Sequence, residues 1–301
     1  MLSVRFWGVR GSLPSPGPDT VIYGGNTSCI EIRADERLII IDLGTGVRPL
    51  GDFLLAKDFK KHGKIKADIF LTHTHWDHIL GFPMFNPIYI PGTELSITSP
   101  ISLENESLKS IIESQFSHKY WPVRADELAA VIEYNQVKEE TLDLGGGLTV
   151  NTKFLNHPIY CLGYRVNYQG KSIATIYDHE PFRNMYTVSP GEKGYKKEAA
   201  AEGEKTAAAE NEKIRQFIKG ADIVIHDAQY TPKDYPDHIG WGHCSYDHSV
   251  KAAKDLGIKN LVLFHHEPTR TDKQLDKIEQ SLSKHTSPSV ITAKEGLLLK
   301  A

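Results

Sequence analysis

The chain has 301 residues, 40% of them hydrophobic, which is enough for one large layered domain. Its 35 basic and 38 acidic residues leave a formal charge of −3, so nothing in the total charge attracts a polyanion. No apolar run reaches membrane-spanning length, the N-terminus has no secretory apolar segment, and Cys29, Cys161 and Cys244 have no paired spacing; the expectation is a cytoplasmic, disulfide-free protein with no membrane contact.

Strand patterns come first. LSVRFWGV alternates, and SCIEIRA, RLIIIDLG and ADIFLTH follow as short apolar runs, with ELSITS continuing the same sheet. In NESLKSIIESQF, residues Leu108, Ile111, Ile112 and Phe116 share one helical face. A second series opens near residue 148: LTVNTKFLNH, LGYRVNYQG, KSIATIYDH, ADIVIHDA and NLVLFHHEP. Between the last two, SYDHSVKAAKDLG predicts a helix with Ser245 as N-cap and Gly257 as its stop. TDKQLDKIEQSLSKH predicts another amphipathic helix. Strands then helices, twice over, predict one α/β domain across 1–301, with pseudo-halves of about 1–147 and 148–301. The stretch 189–213 is rich in Ala, Glu, Lys and Gly. It is expected to be a flexible, solvated insertion leading into a surface helix that ends IRQFIKG.

The chemistry-bearing residues sit at strand ends. His73 and His75 follow ADIFLT, with Asp77 and His78 just beyond; His157, Asp178 and His265 end three later strands. One histidine at a loop start is ordinary, but four strands delivering ligand-type side chains at the same kind of position point to metal. His73, His75 and His157 give one ion three imidazoles and an open position. Asp77, His78 and His265 serve a second, with Asp178 as the bridge. Nitrogen and carboxylate ligands without thiolate suit two divalent ions, Zn²⁺ first, with Mn²⁺ or Fe open. A hydroxide shared by such a pair becomes available near neutral pH.

The ordered set His73-x-His75-x-Asp77-His78, His157, Asp178, His265 resembles the metallo-β-lactamase superfamily. The resemblance spans essentially the whole chain. It implies an αββα sandwich of two mixed β-sheets with helices on the outer faces and metals at the sheet edge. It does not fix the substrate. Asp178 argues against β-lactam hydrolysis, because those members usually lack the bridging aspartate. ADIVIHDAQYTP is similar to a motif of tRNase Z with Asp227 in place of Glu, and GHCSYDHSVKAAK resembles its next motif. That match implies His243 as catalytic histidine with Asp227 orienting it, beside Asp77. The plain reading is that Asp227 caps a turn and His243 caps the helix after it. A proton donor suits phosphodiester cleavage, where an alkoxide leaves, better than thioester cleavage.

The tRNase Z resemblance breaks between His157 and Asp178. That family inserts a long tRNA-gripping arm there; here the interval reads as two strands and a tight turn. The reading is therefore a dinuclear phosphodiesterase for a small or nucleotide-like phosphodiester, cyclic nucleotides included. It is similar to the phosphonate-pathway and cyclic-nucleotide phosphodiesterases, and a large nucleic acid is disfavoured. Thioesterase, lactonase and tRNase Z-like ribonuclease are the alternatives, with a non-catalytic scaffold ranked last. Asp42 is expected to support a ligand histidine. Asn26 and Ser28 are candidates to line the substrate pocket. Tyr120, in the aromatic segment FSHKYWPVR, is a candidate stacking residue; that segment suits core or a homodimer contact equally well. His266 rivals His265; strand alternation sends the two neighbours opposite ways, and the resemblance to the superfamily implies the first. His179 and Glu180 have no role at this level.

Overall fold

The structure, a computed structural model, describes residues 1–102, 106–186, 188–282 and 288–301. The first sheet runs in chain order through β1 (Leu2–Gly8), β2 (Cys29–Ala34), β3 (Arg37–Ile41), β4 (Ile65–Phe70), β5 (Thr93–Pro100) and β6 (Val131–Val137). β1 to β3 are antiparallel and β3 to β6 parallel. The second sheet is β7 (Thr141–Asp143), β8 (Leu148–Leu155), β9 (Cys161–Tyr168), β10 (Lys171–Ile176), β11 (Ile223–Asp227), β12 (Asn260–Phe264) and β13 (Ser289–Thr292). It is antiparallel from β7 to β10 and parallel from β10 to β13. A last strand, β14 (Leu298–Lys300), returns to the first sheet and pairs with β1. Both sheets are mixed, as expected.

Burial explains which runs alternate and which do not. In β1, Leu2, Val4 and Phe6 enter the space between the sheets and the intervening residues face out. After their first residues, Arg37 and Asn260, β3 and β12 are apolar to their ends because both faces are covered. Ile39, Ile41, Val262 and Phe264 meet between the sheets. Leu38 and Ile40 instead pack outward with Val47, Leu50 and Leu54 of α1 (Val47–Leu54). A π-helical turn, Leu55–Phe59, carries α1 into the short α2 (Lys60–His62). After α3 (Trp76–Ile79), α4 (Leu108–Glu113) adds Leu108 and Ile112 to the same outer layer. On the other side, α5 (Lys197–Ile218), α6 (Tyr246–Leu256) and α7 (Asp272–Leu282) cover the second sheet through Ile214, Val250 and Leu282. The layers are helix, sheet, sheet, helix.

The helix around 105–116 forms as α4 plus a 3-10 turn, capped by the Ser107 hydroxyl, while Asn105 lies outside the described residues. Residues 283–285 of the expected last helix also lie outside them. Ser245 occupies the N-cap position of α6 without a side-chain cap bond, and Gly257 ends the helix at φ 64°. Two expectations need correction. The boundary of the halves is displaced, because β7 already belongs to the second sheet and β14 to the first. β7 is three residues long, too short for alternation to register. The insertion at 189–213 is helical from Lys197 onward, and α5 buries Ala207, Ile214 and Ile218. Its Ala, Glu and Lys are strong helix formers, and those three positions fall on one stripe.

This topology sets up the site. β8 and β10 both run antiparallel to β9, and β10, β11 and β12 are parallel to one another. Their C-terminal ends therefore open on one edge of the sandwich, where β3 and β4 also end. Asp42, Asp178 and His265 close three of these strands at φ 64°, 58° and 62°. That left-handed conformation is uncommon for residues with a Cβ.

Candidate metal centre

All seven residues expected to bind metal come together at this edge. His157 Nε2 lies 3.2 Å from His75 Nδ1. The His73 ring centroid is 4.4 Å from that of His75 and 4.6 Å from that of His157. Beside this trio, His265 Nε2 is 3.2 Å from Asp77 Oδ2 and 3.3 Å from His78 Nε2. Asp178 stands between the groups. Its Oδ1 is 3.9 Å from His73 Nε2, and its Oδ2 is 3.4 Å from both His78 Nε2 and His265 Nε2.

Two observations show that cations fit. His73 Nε2 and Asp178 Oδ2 are buried with no hydrogen-bond partner, an arrangement that costs about 1–3 kcal/mol per atom if left unmet. The outward nitrogens of three rings are also committed. His157 Nδ1 donates to Gly242 O at 3.1 Å, His78 Nδ1 to Asp42 Oδ2 at 2.7 Å, and His265 Nδ1 to Gln229 Oε1 at 2.8 Å. Each bond leaves an Nε2 lone pair facing the cleft, as a ligand needs. Five imidazoles and two carboxylates are a donor set for zinc-like ions.

Asp42 does what the sequence suggested and more. Its buried carboxylate also accepts from Ser28 Oγ at 2.9 Å, Thr72 N at 2.8 Å and Tyr177 OH at 2.8 Å. Charge in the cluster is uneven. Burial drives His73 well below the ordinary imidazole range, and His78 adds to the effect. Burial pushes His78 down too, but Asp77, Asp178 and Asp42 outweigh it and hold that ring well above its usual range. Burial pushes the Asp178 carboxyl up, yet the facing His265 and His78 keep it well below normal.

His243, just before α6, and Asp227, at the end of β11, form a second constellation. His243 Nδ1 donates to Asp227 Oδ2 at 2.8 Å, so the shorter Asp arm reaches the ring directly. Asp227 also accepts from Asp178 N at 3.0 Å and Cys244 N at 3.0 Å, tying this pair to the bridging strand. Asp227 Oδ1 further accepts from Gln229 N, so the turn-capping role is real as well. Burial lowers the His243 pKa, but the Asp227 charge and hydrogen bond raise it above normal.

The substrate-lining residues fare differently. Ser28 is fully buried and its hydroxyl is engaged by Asp42, and Asn26 is bound through N and Nδ2 to the Glu295 carboxylate. Ser28 therefore braces the floor of the site and is not open to substrate, while Asn26 stays partly buried beside Glu295. Tyr120 remains 73% exposed. His266 donates from Nε2 to Ala293 O at 2.8 Å, outside the ligand cluster. Sequence reasoning missed Gln229, which orients His265, and Glu180. It also passed over two exposed tryptophans at the site: Trp76, inside the first histidine motif, and Trp241, two residues before His243, are 77% and 62% exposed. The available signal was an aromatic residue embedded in each motif.

Residues 22–158 match the Metallo-beta-lactamase superfamily. Among curated proteins the chain is 24% identical to a ribonuclease Z of Thermoplasma volcanium, covering 90% of this chain and 89% of that protein. It is 26% identical to a ribonuclease Z of Streptococcus equi subsp. equi, over 68% of this chain and 72% of the relative. Among solved structures, the metallo-beta-lactamase fold protein YhfI of Bacillus subtilis superimposes with a TM-score of 0.65 at 16% identity, covering 100% of this chain and 99% of that one. The short form of human tRNase Z gives a TM-score of 0.60 at 18% identity, covering 99% and 98%. These superpositions show that the fold is shared.

Proposed function

From a chain that carries a metallo-β-lactamase superfamily domain and is read as a metal-dependent hydrolase, we propose a phosphodiesterase in which His243 protonates the leaving group. The observation that carries this reading is the His243–Asp227 pair at 2.8 Å, set beside the ligand cluster. Likeness to ribonuclease Z proteins supports the phosphodiester bond as the target. The ions would be held by His73, His75 and His157 on one side, Asp77, His78 and His265 on the other, with Asp178 between. Two divalent cations bound there would supply charge neutralisation and would lower the pKa of a water. The protein's own residues do the rest. Asp227 fixes the His243 tautomer with Nδ1 protonated, which leaves Nε2 to face the cleft. A positively charged His243 can pass the Nε2 proton to a departing alkoxide. Asp42, Gln229 and Gly242 O hold three ligand rings in register.

A small or nucleotide-like diester is the favoured substrate, because His157 and Asp178 are separated only by the β9–β10 hairpin. An RNA end is the second reading, favoured by the same relatives. The deciding test uses His243→Ala with two substrates. Against a diester with an alkoxide leaving group, turnover should fall by about 10²- to 10⁴-fold. With p-nitrophenolate leaving, the loss should shrink, and metal content should stay near wild type. Equal losses on both substrates would exclude proton donation.

A further inference from the structure

We propose that Glu180 is a positioning residue: its carboxylate clamps the turn that presents both His243 and the carbonyl orienting His157. Glu180 lies two residues after the bridging Asp178 and is only 2% exposed. Its Oε1 accepts from Tyr235 OH at 3.1 Å and Gly240 N at 2.9 Å. Its Oε2 accepts from Gly240 N at 2.9 Å and Gly242 N at 3.1 Å. All these donors are neutral and belong to 235–242, the segment that leads into His243. Hydrogen bonds to an ionised acceptor are the stronger kind, and here one carboxylate gathers three donors, with Gly240 N–H shared between its two oxygens.

The clamped segment needs fixing. Gly240 and Gly242 take φ 95° and 85°, a region open to glycine that leaves the chain otherwise loosely determined. Ile239 and Trp241, on either side of Gly240, are exposed, so apolar packing does little to hold the turn. Yet the turn must be exact in place. Gly242 O accepts from His157 Nδ1, and a Cβ on Gly242 would lie 2.3 Å from that same nitrogen. The residue after Gly242 is His243. From the other side, Glu180 N donates to Asn156 O at 3.0 Å, anchoring the clamp to the strand end that carries His157. A buried charge therefore connects the bridge strand, one ligand histidine and the proton donor.

The activity part rests on the phosphodiesterase reading, so the test has two independent readouts. Glu180→Gln keeps the size but turns an amide N–H toward backbone N–H donors. The first readout is Trp241, isolated by subtracting the same measurements on Trp241→Phe in each background. Its anisotropy should fall and its quenching by iodide should rise in Glu180→Gln. An unchanged Trp241 would overturn the clamp, whatever the protein hydrolyses. The second readout is turnover on the two leaving groups. Glu180→Gln should lose about tenfold to hundredfold in kcat with an alkoxide leaving group, much less with p-nitrophenolate, and change KM little. Equal losses on both substrates, in a variant where His243→Ala does discriminate, would reduce Glu180 to a scaffold role. If His243→Ala itself fails to discriminate, the general-acid reading falls and the Trp241 readout alone decides the clamp. Tyr235→Phe removes a single donor and guards against a folding failure. It should show the same leaving-group bias at smaller size, and a bias in neither variant would overturn the proposal.

Discussion

Three strand ends place two chemistry-bearing residues side by side: Asp178 with His179, His226 with Asp227, and His265 with His266. In each pair one member faces the cleft and the other turns away, and all six are buried. The members that turn away are satisfied by backbone. His179 Nδ1 accepts from Asn156 N at 3.2 Å, His226 Nδ1 donates to Asp227 O at 3.0 Å, and His266 Nε2 donates to Ala293 O at 2.8 Å. Across the strand, Asp178 Oδ2 and the neighbouring His73 Nε2 have no partner. Burial is therefore the same on both sides. Within the Asp178–His179 pair, what sets the cleft-facing member apart is a buried lone pair that the fold has left unmet.

The sharpest way to break this comparison is to mutate both members of one pair. Asp178→Ala should take metal content from near two ions per chain to one or fewer and lower turnover by about a thousandfold or more, since it removes several kcal/mol of charge stabilisation. His179→Ala should retain both ions and lose only about 1–3 kcal/mol of stability. Elemental analysis with denaturant melts separates the outcomes, and metal loss in His179→Ala would erase the distinction.

A middle-sized effect comes from Asp42→Asn. It leaves His78 in place but weakens the bond that holds its tautomer, so affinity for the metal should fall about 10- to 100-fold. Competition with a chelator measures this, and an unaltered affinity would show that His78 is held by packing alone.

The smallest effect concerns acid. Burial and the nearby His248 lower the folded His226 pKa from 6.5 to about 4. The unfolded chain therefore binds the proton more readily between those values. Stability is fully present above about pH 6.5 and is lost as pH falls toward 4. His226→Asn should flatten that limb, and an identical pH–stability curve for the variant would mean that other groups set it.

The site was more legible in the sequence than its supports were. His73, His75, Asp77 and His78 are contiguous, and His157, Asp178 and His265 each end an apolar run, so local pattern reveals them. Alternation put His265 and His266 on opposite faces, and the superfamily pattern chose between them. The supports have no local signature. Gln229 meets His265 from 36 residues away, and Glu180 reaches Gly240 from 60 away, through a turn whose shape depends on two glycines. Ser28 was misread because polar residues near the site look alike whether they face substrate or brace the floor. The N-terminal part of α5, before the expected surface helix, was hidden by composition: its helix-forming Ala, Glu and Lys mask an apolar stripe that continues to Ile218.

The three strands that end at positive φ carry a further consequence. Holding a residue with a Cβ in that conformation costs about 1–2 kcal/mol, which glycine would largely avoid. Glycine at 42, 178 or 265 would relax the backbone and erase the chemistry in one step. At 42 and 265 the buried hydrogen bonds that the side chains make oppose that change. At 178, where a carboxylate oxygen is buried unmet, a library of this chain selected only for heat resistance would be drawn toward inert members. Selection would have to demand ion retention as well, because at that strand end the most durable sequence and the working sequence diverge.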